Sequence, residues 1–315
     1  MTQARRNRLG EAERHLLNDR FAEAHEVLDS LVALRPADPV GHVFKAAVYL
    51  GEMTATEANL YPAAFFERID TAVALAEGLM SDGSGRQQAW MHLFLGHAAA
   101  YRALWESRFG SFTSALRCSF EARSHYEDGL AADSTLYDLY AGLGVYHYWK
   151  SAKAGILRWL GIFKDDKEKG IRQIRMAADS SQITGRAARN ALIWIWLDQK
   201  QYDSVIAECR SLLQTYPDGR LFFWPLAAAY FESGAYDPAR GTFLTLRGGY
   251  ARAPGNYYNL VECDYFLYQC LDKLERKSDA KSVAVNLLAY YENIPDDTRR
   301  RQRGKIAFLR RAARR

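Results

Sequence analysis

LIWIWLDQKQYDSVIAECRSL, residues 192–212, and LAAAYFESGAYDPARGTFLTL, residues 226–246, are the two stretches on which the fold turns. Leu192, Trp196, Tyr202 and Leu212 of the first recur as Leu226, Tyr230, Tyr236 and Leu246 of the second, each 34 residues further on. Thirteen residues after Leu192 and Leu226 stand the small residues Val205 and Ala239, and Leu267 and Ala280 repeat that step. A period of this length describes one helix, a turn and a second helix, a unit that buries its apolar face only by stacking on its neighbours. Pro217 and Pro295 fall where a second helix has to stop, because proline cannot continue it.

Working outward toward the N-terminus, the same pattern persists with longer connections. Tyr140-x-x-Leu143-Gly144 repeats the start of a first helix, and Leu95-Gly96 repeats its last two positions. From Leu143 the matching second-helix residue is Gly170, 27 positions on instead of 13, which implies an insertion over Ser151–Lys164. Phe21, Ala24 and Leu28, closed by Pro36, read as a second helix; Pro39 opens the next first helix through Ala46, Ala47 and Leu50. Residues 51–62 read as a loop and 63–80 as a further helix. No proline occurs between Pro62 and Pro217, and no segment alternates with the period of two that a sheet requires.

These positions resemble the tetratricopeptide (TPR) family over roughly residues 8–295. The segment from Gly142 to Trp149, followed by an apolar insertion and Asp165–Ile171, is further similar to bacterial TPR proteins related to the yeast inclusion-body-clearance proteins. The resemblance implies an all-α, right-handed superhelical solenoid of antiparallel helix pairs. We expect it to span residues 1–297, with a helical insertion at 151–164 and a basic tail at 298–315, and any break to fall near Gly83–Gly85 or within Arg247–Asn256. It also implies that first helices turn their second, fifth, ninth and twelfth positions to a concave face. Counting from the registers above, those positions include Trp90, His97, Tyr148, Asn190, Trp194, Trp224 and Phe231, candidates for partner binding.

Composition agrees with a folded chain: 49% hydrophobic and 25% charged over 315 residues. The formal charge is +5, but Thr298–Arg315 holds nine basic residues and no acid, so the rest carries −4. Cys118, Cys209, Cys263 and Cys270 form no C-x-x-C pair and read as small buried residues. No run reaches the roughly 18–20 apolar residues of a membrane helix, and residues 1–20 lack the apolar middle of a secretory signal. A cytoplasmic location is expected, or a periplasmic one if an upstream signal is missing.

No residue pattern identifies an enzyme. The seven histidines make no H-E-x-x-H; His92 and His97 are about 140° apart on a helix, a poor chelate, so no metal and no cofactor is expected. Gly142-x-Gly144 follows no strand and lacks the third glycine of a dinucleotide loop. Asp165-Asp166 sits at a helix start, where carboxylates cap.

The expected function is therefore a non-catalytic protein- or peptide-binding scaffold with an aromatic-lined groove. One alternative is a nucleic-acid-associated protein that uses the basic tail; another is an enzyme with a site assembled across repeats. The insertion, with Ile156, Leu157, Trp159, Leu160, Ile162 and Phe163 among Lys153, Arg158 and Lys164, offers a membrane surface or a partner an apolar, cationic face unless it packs across its neighbours.

Overall fold

The period appears in the structure as helix boundaries. The structure is a computed structural model and describes residues 1–80, 84–153, 165–252 and 255–314. Among these, sixteen α-helices and no strand are formed. They are α1 Gln3–Leu17, α2 Phe21–Leu34, α3 Pro39–Thr56, α4 Pro62–Gly78, α5 Gly85–Phe109, α6 Phe112–Ala132, α7 Asp138–Lys153 and α8 Lys167–Ser180. There follow α9 Gly185–Asp198, α10 Tyr202–Thr215, α11 Arg220–Glu232, α12 Tyr236–Ala251, α13 Tyr257–Lys273, α14 Lys277–Tyr290, α15 Asp296–Arg301 and α16 Arg303–Arg314. Over the described residues the chain is all-α and built of consecutive helix pairs. Among the described residues no helix is long and apolar enough to cross a membrane. The insertion expected at 151–164 lies, from residue 154 on, outside the described residues; Ser151–Lys153 extend α7.

Five of the turns inside helix pairs share one construction. Asp19, Glu57, Lys200, Gly234 and Glu275 have positive φ, between 53° and 82°. In each case the amide of the next residue donates to a carbonyl five residues back: Arg20 to His15, Ala58 to Met53, Gln201 to Trp196, Ala235 to Tyr230 and Arg276 to Leu271, at 2.8–3.2 Å. This is the Schellman closure, in which a left-handed residue lets the chain satisfy the carbonyls at a helix end. Lys200 and Gly234 are one 34-residue period apart.

The chain divides into two compact units. The first comprises Met1–Leu16, Arg20–Glu52 and Asn59–Ile195; the second comprises Leu17–Asp19, Met53–Ala58 and Trp196–Arg315. The division thus falls inside α9, not at either of the places expected. It follows side-chain ties that sequence spacing does not reveal: within the second unit Arg220 binds Asp19, and the Asn259 amide donates to the Ala55 carbonyl at 2.9 Å.

In the first unit, glycines set how closely antiparallel helices approach. A Cβ on Gly144 of α7 would stand 2.7 Å from the Gly170 carbonyl oxygen of α8, and one on Gly170 would stand 2.6 Å from the Gly144 oxygen. Gly96 of α5 and Gly142 of α7 both lie against the ring of Tyr126 from α6, where an added Cβ would come within 2.4 Å. The buried Asp138 carboxylate at the start of α7 accepts the amides of Gln182, Ile183 and Thr184 ahead of α9, at 2.7–3.1 Å. The turn that leads into α9 is thus held by a distant carboxylate, which also satisfies the amide of Thr184 at the helix N-cap. The expected loop at 51–62 is shorter than the spacing suggested: α3 runs on to Thr56, because Gly51 admits the Leu16 side chain and Met53 is fully buried.

In the second unit, Phe243 and Phe266 stack at 5.1 Å, with Trp224 and Phe231 edge-on at either end. The C-terminal segment is not a free tail. Ile306 and Leu309 of α16 are buried with Val261, Ala284, Leu287 and Ile294. Lys305 pairs with Glu262, Arg301 pairs with Glu57 and lies over the Tyr258 ring, and Arg310 lies over the Tyr291 ring. An amphipathic stretch whose apolar face meets an uncovered helix pair docks on it, whatever its net charge.

Candidate binding groove

A groove of about 820 Å³ opens in the first unit between the start of α1, the α2–α3 turn and the first half of α5. Its floor is Trp90, Met91 and Phe94, with the two rings 5.9 Å apart and tilted. α5 supplies adjacent and i+4 positions because it is a long helix with apolar residues around most of its girth, many of them buried. Above the floor stand Arg5, Arg35 and Arg86, against a single acid, Asp38. Arg5 pairs with Asp38 at 2.8 Å, while Arg86 is drawn aside to Asp133 at 2.6 Å and to the Thr135 hydroxyl. The Thr135 hydroxyl and then Arg86 hold the Asp133 carboxyl down, to about 2. Arg35 is exposed at the turn and adds a further cation to the rim. The lining includes no histidine or cysteine.

The sequence-derived candidates distribute differently from the expected concave row. Trp90 reaches this groove but belongs to the core, 7% exposed. His97 and Tyr148 are corrections: both are buried, Tyr148 completely, so neither presents a surface to a partner. His97 Nδ1 bonds the Tyr126 hydroxyl at 2.9 Å, and burial lowers its pKa to about 4. The reason is that α5 and α7 are covered on the side the repeat count assigns to solvent. Trp224 and Phe231 belong to the second unit and are partly buried; the Trp224 indole donates to the Tyr250 hydroxyl at 2.6 Å. Asn190 and Trp194, one turn apart on α9, share a face, and Trp194 is exposed. Of the seven, Trp90 alone is among the described lining residues of this groove.

The groove residues that spacing missed are Arg5, Arg35, Arg86, Met91 and Phe94. They come from three separate segments, and only Trp90-x-x-x-Phe94, an aromatic pair at helical spacing, is a signal within one of them.

No protein-family model matches the chain, and no curated protein matches it. Among solved structures, the TPR domain of P58(IPK) aligns over 97% of this chain and 88% of that one, at 12% identity and a TM-score of 0.24. That score is too low for the alignment to bear on a binding site.

Proposed function

We propose that the chain is a non-catalytic scaffold that binds a short protein segment carrying an acidic residue beside an apolar one. The observation that supports this is the groove itself: an aromatic floor under the exposed cation Arg35. Its volume falls within the roughly 300–1,000 Å³ in which proteins hold small ligands. Aromatic floors supply contact area at little cost in rotamer entropy, and a rim arginine supplies charge-assisted hydrogen bonds to a carboxylate. Helix-pair arrays carry such grooves as their ordinary mode of action.

The test is selection from a random peptide display library on the full chain, followed by affinity measurement with wild type and Arg35→Glu. Arg35 is exposed and outside the core, so the variant folds. Enrichment of acidic sequences, weakened roughly tenfold or more by the charge reversal, is expected. Selected peptides without acidic enrichment, or equal affinity for the variant, would sink the proposal.

A further inference from the structure

The α5–α6 hairpin brings together three side chains that the groove does not use. His92 of α5 and His125 and Asp128 of α6 offer ligand atoms that all lie within 4.8 Å of one another. His125 and Asp128 are three residues apart, hence on one face of their helix. The facing helix comes close enough because Gly129, the neighbour of Asp128, has no side chain: a Cβ there would stand 3.0 Å from the His92 Cβ. The two imidazoles are 5.7 Å apart between centroids.

A second observation concerns the rings themselves. Nδ1 of His92 and Nδ1 of His125 are both shielded from solvent, and neither has a hydrogen-bond partner. Shielded polar atoms in folded proteins normally find partners, so two of them in facing rings beside a carboxylate need a reason. The charged groups acting on His92 are Asp128 and His125, with no lysine or arginine among them.

We propose that His92, His125 and Asp128 bind one divalent transition-metal ion of the zinc type, clamping α5 to α6. Two neutral imidazoles and one carboxylate are a borderline donor set that suits Zn²⁺ and its first-row neighbours and disfavours Ca²⁺ and Mg²⁺, which demand oxygen cages. With metal–ligand distances of about 2.0–2.1 Å, ligands of a tetrahedral ion stand ~3.4 Å apart. Side-chain rotation closes the remaining gap, since Asp128 is exposed and both rings are only half-buried. Three protein ligands leave a coordination position to water. The reading is independent of the peptide groove, whose lining includes none of the three residues.

The experiment uses the full chain stripped with a chelator and titrated with Zn²⁺ by calorimetry, with thermal melting alongside and Co²⁺ as a spectroscopic probe. One ion per chain, a raised melting midpoint and a Co²⁺ d–d band without a thiolate charge-transfer band are expected. That last feature separates this site from the four free cysteines, all buried. His92→Gln and His125→Gln should abolish binding, and Asp128→Asn should weaken it roughly tenfold or more. Asp128 is exposed, so its variant reports even if a histidine variant fails to fold. No saturable binding at millimolar Zn²⁺, a thiolate band, or affinity unchanged in Asp128→Asn would overturn the proposal.

Discussion

His97 shows how much one side chain changes meaning when its surroundings are known. By spacing it is a groove residue; in the structure its ring is buried in the first unit against Tyr126 and Tyr101. Burial lowers its pKa from the ordinary 6.5 to about 4, so the folded chain holds it neutral. An unfolded chain takes up a proton near pH 6.5 that the folded chain refuses until about pH 4. The stabilisation is fully present above pH 6.5 and is lost as pH falls toward 4, up to about 3 kcal/mol for this group. Urea melts of wild type and His97→Gln at pH 7 and at pH 5 check it. Wild type should lose more stability than the variant over that interval, and equal losses would rule out His97 as the source.

At the scale of elements, the five Schellman turns are the clearest mark of repetition, and they divide by residue type. Gly234 adopts φ 82° with open space around its missing Cβ, so an alanine there meets only the backbone cost of the left-handed region. Gly234→Ala should destabilise by about 1 kcal/mol. One period earlier, Lys200 bears the same conformation with a side chain, at φ 58°. Lys200→Gly should therefore be neutral or stabilising, whereas a glycine in a helix interior would cost about 1 kcal/mol. Chemical denaturation of the two variants side by side distinguishes a shared turn from two unrelated ones, and equal losses in both would contradict the shared construction. The α7–α8 pair obeys another rule, since Gly144 and Gly170 meet backbone to backbone and an added methyl has nowhere to go.

On the scale of the molecule, the two units have their own cores, and α16 is part of the second. Val261, Ala284, Leu287 and Ile294 form an apolar cluster, and a helix with one apolar and one polar side covers it. α16 does so with Ile306 and Leu309 inward, while Arg303, Arg311 and Arg314 stay outside. Leu309→Ala should cost about 2–5 kcal/mol, and removal of residues 303–315 should lower the melting temperature and promote association through the uncovered cluster. Scanning calorimetry and light scattering on the two variants check this; unchanged melting would restore the view of an appendage. Several charges of this segment are already engaged within the unit, by Glu262, Glu57 and Tyr291 among others, which reduces what it offers to phosphates.

The sequence by itself determined the class of fold and the length of its unit, because both are written in local spacing: Leu192 to Leu226, Tyr202 to Tyr236, Val205 to Ala239. Hydrophobic periodicity reports which residues face inward within one helix, and that is enough to recognise the repeating unit of helix, turn and helix. The helical nature of residues 303–314 follows the same rule, visible in Ile306 and Leu309. Which helix covers which is a different kind of information, carried by contacts between residues far apart in the chain. Only the tertiary structure decided that α5 and α7 are covered on the side assigned to a partner, that Arg5, Arg35 and Arg86 meet over Trp90 and Phe94, and that His92 faces His125 and Asp128. Each of these depends on how closely two helices approach. That distance was set by glycines whose neighbours lie on other helices, at Gly96, Gly129, Gly142 and Gly144.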